Sequence, residues 1–232
     1  AILLASFLPA VLTLVLPRDT ARMRNALNLG GAVVKLALVA FMIAAIADGA
    51  HPEPRLPLAP GLELLLRVDA LALLFLTLSA FLWLVTTIYA IAYLGTGPDL
   101  SRFFGFFSLC VTSTAGIALS GSLLTFFTFY ELLTLSTWPL VVHKGDARSL
   151  AAGRLYLAYT LPGRALFLVA MVWLEAAVGP FAFTEANLGE RADAPGAAVQ
   201  RVLFVLFVAG LGVKAAMVPL HAWLPAAMVA PA

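Results

Sequence analysis

The sequence predicts an all-α polytopic membrane protein, and three observations carry that reading. Hydrophobic residues make up 62% of the chain and charged residues only 11%, against about a quarter charged in soluble domains. Mean hydropathy is +1.01. Apolar runs of the length a bilayer requires, about twenty residues per helix, recur from one end to the other. These side chains are matched to lipid.

The length rule gives seven spans, at about 1–16, 28–47, 69–94, 103–120, 122–142, 150–178 and 199–225. The first starts at Ala1 with no basic stretch before it and no small-residue cleavage pattern after it, so it reads as a transmembrane helix and not as a secretory leader. The stretch 48–68 contains His51-Pro-Glu-Pro-Arg-Leu-Pro and is expected to form a surface cap, as is 179–199. Only Ser120-Gly121-Ser122 divides the fourth span from the fifth. The stretches 17–27, 95–102 and 143–149 are expected to be loops. The abrupt close, with no polar tail after Pro225, points to a fragment of a longer protein.

Basic residues set the expected orientation. Arg18, Arg22, Arg24, Arg102, Lys144 and Arg148 fall between spans on one side. Arg55, Arg67 and Arg191 fall on the other, with Arg201 at its edge, among Glu53, Glu63, Glu185, Glu190 and Asp193. The first set is expected in the cytoplasm and Ala1 outside, in the inner membrane of a bacterium. A net charge of +2, scattered along the chain, argues against a nucleic-acid partner. The single cysteine, Cys110, excludes an internal disulfide and reads as a small buried hydrophobe. The three separated histidines form no metal-ligand cluster. No cofactor motif or Gly-rich phosphate loop is present, so no cofactor is assigned, and redox catalysis would belong to partner subunits.

The informative residues are polar ones inside spans. Glu131 lies mid-way along the fifth span, where a charged side chain costs roughly 2.5 to 3.5 kcal/mol on insertion scales. Thr134 follows it by three positions and Thr128 precedes it by three, so the three share a helix face. Such a stripe meets protein or water and not lipid; it serves either ion movement or a structural ion pair. Lys214 is the natural partner. It sits in Gly210-Leu-Gly212-Val-Lys214-Ala-Ala-Met-Val-Pro219, and Pro219 is expected to break the helical ladder one turn beyond it. Broken helices at membrane depth mark transporter ion sites; the competing reading is a lysine snorkelling to the surface. His221 suits a proton relay or an interfacial role equally. Arg164, just after Pro162-Gly163, must be paired or sit in a wet cavity, while Arg154 is close enough to the surface to snorkel. Lys35 and Glu175 are expected at interfaces.

Three stretches carry a resemblance. Phe129-Tyr-Glu131-Leu-Leu-Thr-Leu-Ser-Thr-Trp-Pro139-Leu resembles the fifth-helix motif of the proton-conducting membrane subunits shared by respiratory complex I, Mrp-type cation/proton antiporters and membrane-bound hydrogenases. Gly212-Val-Lys214 through Pro219-Leu-His221-Ala-Trp-Leu-Pro225 is similar to their broken seventh helix. Val68-Asp69-Ala-Leu-Ala-Leu-Leu-Phe is similar to the opening of their third. The resemblance implies a fold of about fourteen helices with two inverted repeats. Residues 1–102 would hold the first three helices and 103–232 the truncated start of the first repeat. It implies that Glu131 and Lys214 are the paired glutamate and lysine of proton passage, and that a further lysine on an eighth helix lies beyond Ala232. Arg164 matches no family landmark.

The leading expectation is therefore a proton-translocating subunit of a larger complex, with lipid, other membrane subunits and protons as partners and sodium as a second candidate ion. The alternative is a non-conducting scaffold that anchors a peripheral redox or hydrogenase enzyme. An independent solute transporter would need a midplane substrate pocket that the sequence does not display.

Overall fold

The computed structural model describes residues 1–15, 21–49, 52–59, 62–95, 99–179, 181–183 and 195–228. In chain order its elements are α1 (Ile2–Val15), α2 (Ala21–Ala47), β1 (Arg55–Ala59), β2 (Leu62–Leu65), α3 (Ala70–Leu94), α4 (Leu100–Ala118), α5 (Leu123–Val141), α6 (Ala147–Val178), α7 (Ala197–Lys214) and a short α8 (Trp223–Ala227). Arg18, Glu185, Glu190, Arg191 and Asp193 lie outside the described residues.

Short polar side chains fix three helix starts by accepting an orphan amide. Asp69 Oδ1 accepts from the Ala72 N–H at 2.7 Å, Ser122 Oγ from Thr125 at 3.3 Å, and Asp146 Oδ1 from Ser149 at 2.7 Å. The Asp146 cap explains why α6 begins at Ala147 and not at the first apolar residues near 150. The expected loop at 17–27 is helical from Ala21 onward. Ala, Arg and Met are good helix formers, so helix propensity extends α2 beyond its apolar stretch. Helix α4 likewise begins at Leu100. The expected cap at 48–68 is in part a β-hairpin, with β1 antiparallel to β2 and Arg55 Nη1 2.8 Å from Glu63 Oε1.

Helices α2, α3, α4, α6 and α7 are long and apolar enough to cross a membrane by length and composition. The other two expected spans are also helices but stand apart from this set. Helix α1 has 14 residues. Helix α5 has 19, as α4 does, but Glu131 and its threonines and serines dilute its apolar character. Large apolar side chains left uncovered on α3, among them Leu71, Leu74, Phe75, Leu78 and Phe81, are suited to a lipid surround. The expected seventh span is shorter than read: α7 stops at Lys214 and the chain turns before α8.

Residues Ala1–Ser120 and Thr128–Thr137 form one compact unit, Gly121–Phe127 and Trp138–Ala232 a second. In the first, α1 packs on α2 and α4, and α3 packs on α2 and α4. Val39, Leu76, Ala80 and Ala115 centre its core. Through this core runs a buried polar network. Asn28 donates to Thr13 Oγ1 at 3.1 Å and accepts from Ser108 Oγ at 2.7 Å, while Thr112 donates to Ser6 Oγ at 2.9 Å. Every member is partnered, as a buried polar group requires.

Two basic residues depart from expectation here. Arg24, read as a loop residue, is buried on α2, with its guanidinium carbon 5.4 Å from the centre of the Phe104 ring. Lys35, read as interfacial, is fully buried. Both corrections have one cause. Arg24, Asn28, Ala32, Lys35 and Val39 fall on a single buried stripe of α2, so the packing of α1, α3 and α4 against that stripe, and not distance from the helix end, decides their environment.

In the second unit α6 packs on α7 and α8. A Cβ at Gly210 would lie 2.8 Å from the Gly163 carbonyl oxygen and 2.9 Å from the Phe167 nitrogen. Glycine at these positions lets two helices approach backbone to backbone, the packing mode of membrane helices.

Candidate functional site

Glu131 is half-buried near the middle of α5, and its Oε1 atom is closed off from solvent. Of the expected stripe of Thr128, Glu131 and Thr134, the Thr134 hydroxyl turns back on its own helix, and so do those of Ser136 and Thr137 on other faces. Thr134, almost fully buried, donates to the Tyr130 carbonyl at 3.0 Å, Ser136 to Leu132 at 2.7 Å and Thr137 to Leu133 at 2.7 Å. Each hydroxyl thereby satisfies its donor and keeps acceptor lone pairs. Helix α5 is registered against α4 at two points: Cys110 Sγ is 3.7 Å from Thr137 Oγ1, and the Phe129 ring occupies the space a Cβ on Gly116 would need.

Lys214 is the last residue of α7 and is half-buried. The helix ends directly at the lysine, a turn earlier than Pro219 alone suggests, because the stop is a Schellman motif. The Met217 N–H bonds the Gly212 carbonyl at 2.9 Å and the Ala216 N–H bonds Val213 at 3.1 Å. Ala216 holds φ 52 in the left-handed region, where glycine is the usual occupant. The Trp223 indole N–H then donates to the Val213 carbonyl at 2.7 Å. The carbonyls next to the lysine are thus occupied by the backbone and an indole. A cation at a helix C-terminus is favoured by the helix dipole. Pro219 is exposed and follows a cis peptide bond after Val218. Gly212 is buried against Met217.

His221 is exposed in this turn, and its carbonyl accepts from Leu224 at 3.0 Å. Arg154 is exposed on α6 and Arg164 is half-buried. Gly163 packs on Val213, so Arg164 and Lys214 each follow directly on one α6–α7 contact. The structure therefore gathers Arg164, Lys214, Gly212 and the turn carrying Pro219 and His221 around one end of α7. Glu131 and Thr134 belong to the first unit.

Lys35 is the polar residue that span counting missed. Its Nζ donates to Ser79 Oγ at 3.3 Å and to the Val111 carbonyl at 3.4 Å, and it sits 5.6 Å from the centre of the Trp83 ring. The signal was the recurrence of Arg24, Asn28 and Lys35 at helical spacing along one stripe.

The family model described as NADH:quinone oxidoreductase/Mrp antiporter, TM, matches residues 120–232. Hydrogenase-4 component B of Escherichia coli is 30% identical over 169 residues, covering 71% of this chain and 24% of its own. NADH-quinone oxidoreductase subunit N of Desulforudis audaxviator is 32% identical over 169 residues, covering 71% of this chain and 32% of its own. The chain thus spans a quarter to a third of the length of these relatives. A chain in the structure of the Mrp complex from a Dietzia species shares the fold, with a TM-score of 0.82 at 24% identity over 99% of this chain and 25% of that one. The apolar helices, the order of the motifs and these likenesses lead to one conclusion: the chain is an integral membrane protein, part of the fold of, and belonging to, the NADH:quinone oxidoreductase/Mrp antiporter family of membrane subunits.

Proposed function

We propose that the full-length protein is a proton-translocating subunit of a larger membrane complex, and that Glu131 and Lys214 carry the proton. The observation that bears most weight is the ending of α7 at Lys214, inside an apolar stretch where the next eight residues abandon regular helix. Non-helical backbone at membrane depth survives where it is buried in protein or lines a cavity. Glu131 supports the reading, since an enclosed carboxylate in an apolar helix is costly and residues of this kind mark ion and proton pathways. In the cycle Glu131 takes up and releases one proton, and Lys214 alternates between ammonium and amine.

The remaining site residues take supporting roles in this reading. Thr134 lies one helical turn from Glu131 on the same face. His221, open to solvent, exchanges protons at the mouth of the turn. Arg164 and Arg154 act as fixed positive charges, and Gly212 and Pro219 shape the break. Residues 1–102 precede the repeat that begins at 103. Ala1 lies outside a bacterial inner membrane, in keeping with Arg102, Lys144 and Arg148 on the other side. Energy comes from redox chemistry or an opposing sodium gradient in partner subunits.

The test is Glu131→Gln in the full-length protein within its complex, with proton movement into membrane vesicles followed by a pH-sensitive dye. Translocation should be abolished with assembly intact. Unchanged translocation would remove the proposal and favour an anchoring scaffold, which should instead fail to assemble when Lys214 is replaced.

A further inference from the structure

We infer that a dry, phenylalanine-lined chamber in the second unit is a hydrophobic seal, which keeps Lys214 from exchanging protons with the membrane face that carries Phe181 and Phe183. The inference rests on the proposed role of Lys214 in proton carriage and assigns to that site the barrier it needs on one side.

The chamber has a volume of about 320 Å³ and is lined by five phenylalanines and three leucines, drawn from the start of α5, from α6, from the segment after it and from α7. Phe167 is almost fully buried at its wall, with its ring centroid 5.7 Å from that of Phe126 and 5.4 Å from that of Phe207. No lining side chain can form a hydrogen bond. Water entering the chamber would give up its own bonds without replacement, and apolar cavities of this kind stay dry. Protons travel along water or polar side chains, so a dry constriction stops them as it stops other ions.

The chamber adjoins the lysine. Phe207, Leu211 and Lys214 follow one another at spacings of four and three, and so share one face of α7. The lining therefore begins one turn before Lys214. Phe207 and Leu211 are half-buried on that face, whereas Val202 and Val205 lie uncovered, suited to lipid, on the opposite side of the helix. The apolar packing continues away from the lysine through Leu174, Val178 and Leu203. From Leu203 to Lys214 is eleven residues, or about 16 Å along α7.

Phe181 and Phe183 close the end remote from Lys214, on a segment pinned to the start of α5. The Phe183 N–H donates to the Gly121 carbonyl at 2.9 Å, and Ala182 bridges Ser122. On its other side Lys214 meets the exposed turn that carries Pro219 and His221. A carrier open to both membrane faces at once would let protons run down their gradient. One sealed toward Phe181 takes and returns its proton on the His221 side.

The experiment puts a hydroxyl into the seal, as Phe167→Ser and Phe207→Ser, in the full-length protein within its complex in sealed vesicles. Phe167→Leu is the conservative control. The first readout is passive leak: without an energy source, the decay of an imposed pH gradient is followed by a pH-sensitive dye and normalised to assembled complex. Each serine variant should leak about tenfold faster, the effect of one added hydrogen-bonding group on a barrier, and Phe167→Leu should not. Adding Lys214→Met to a leaking variant should return the leak to the parent rate. The second readout is labelling of Leu211→Cys by a charged methanethiosulfonate applied to each membrane face and read by mass spectrometry, with His221→Cys marking the open face. Labelling in the otherwise unaltered protein is expected from that face alone or not at all. Leak within about twofold of the parent in both serine variants overturns the inference. So does a leak indifferent to Lys214→Met, or labelling of Leu211→Cys from the face that leaves His221→Cys unmarked. If neither serine variant assembles, the labelling result decides alone. Glu131→Gln separates the two claims: loss of pumping there with a failed leak or labelling test removes this inference alone, whereas unchanged pumping there removes both.

Discussion

Lys35 and Lys214 are lysines of the same chemistry in similarly apolar helices, yet the protein holds them in opposite ways. Lys35 projects from an unbroken 27-residue helix and is enclosed by neighbours from α3 and α4. Lys214 closes an 18-residue helix and is half-buried at a stop built from Ala216, Met217 and Trp223. In the first case tertiary packing makes the environment and the backbone is ordinary. In the second the backbone makes it. A buried cation in a membrane protein can therefore arise without any local irregularity.

This contrast suggests experiments that strike one site and spare the other. The largest effect is expected from Gly210→Val. A branched side chain there would meet the Gly163 carbonyl and the Phe167 backbone, which cannot retreat as a flexible side chain can, and should destabilise the α6–α7 contact by about 3 kcal/mol. Thermal unfolding of the purified protein would measure it, and cysteine accessibility at position 214 should rise while that at 35 stays unchanged. A smaller effect is expected from Trp223→Phe, which keeps a ring against Tyr156 but removes the donor to Val213. It should cost about 1 kcal/mol, again at the α7 end alone. If either variant altered both sites equally, the two environments would not be independent.

The smallest effect is electrostatic and lies at the start of α6. Bonds from the Ser149 backbone N–H and then its hydroxyl hold the Asp146 carboxyl below the usual carboxylate range, with Lys144 and Arg148 adding to the shift. A lowered folded-state value means the cap contributes above the unfolded carboxylate pKa of about 3.9 and is lost as pH falls through the folded value. Asp146→Ala should flatten the acid side of the stability–pH curve, leaving Lys35 and Lys214 unaffected. An unchanged acid limb would show that the cap plays no part.

Legibility in the sequence follows the same contrast. Helix α3, Ala70–Leu94, was readable almost to the residue because Asp69 precedes an uncharged, mostly apolar run. The Ser120-Gly121-Ser122 junction was readable because a glycine between two serines punctuates the pattern. The break near Lys214 was visible through Pro219, though the proline misplaced it by a turn: the stop depends on a left-handed alanine that no composition rule marks. Lys35 and Arg24 were misjudged because distance from a helix end stood in for depth, whereas three packed helices set their burial. The β1–β2 hairpin was missed because its prolines read as a loop. Glu131 stands out in the sequence because a lone acid in an apolar run is conspicuous, yet nothing there says that the Thr134, Ser136 and Thr137 hydroxyls bond backward along their own helix.

The stop after Lys214 is assembled from peptide amides, carbonyls and an indole, none of which ionises in the physiological range. The shape of the turn is consequently fixed by groups whose hydrogen bonds do not change across that range.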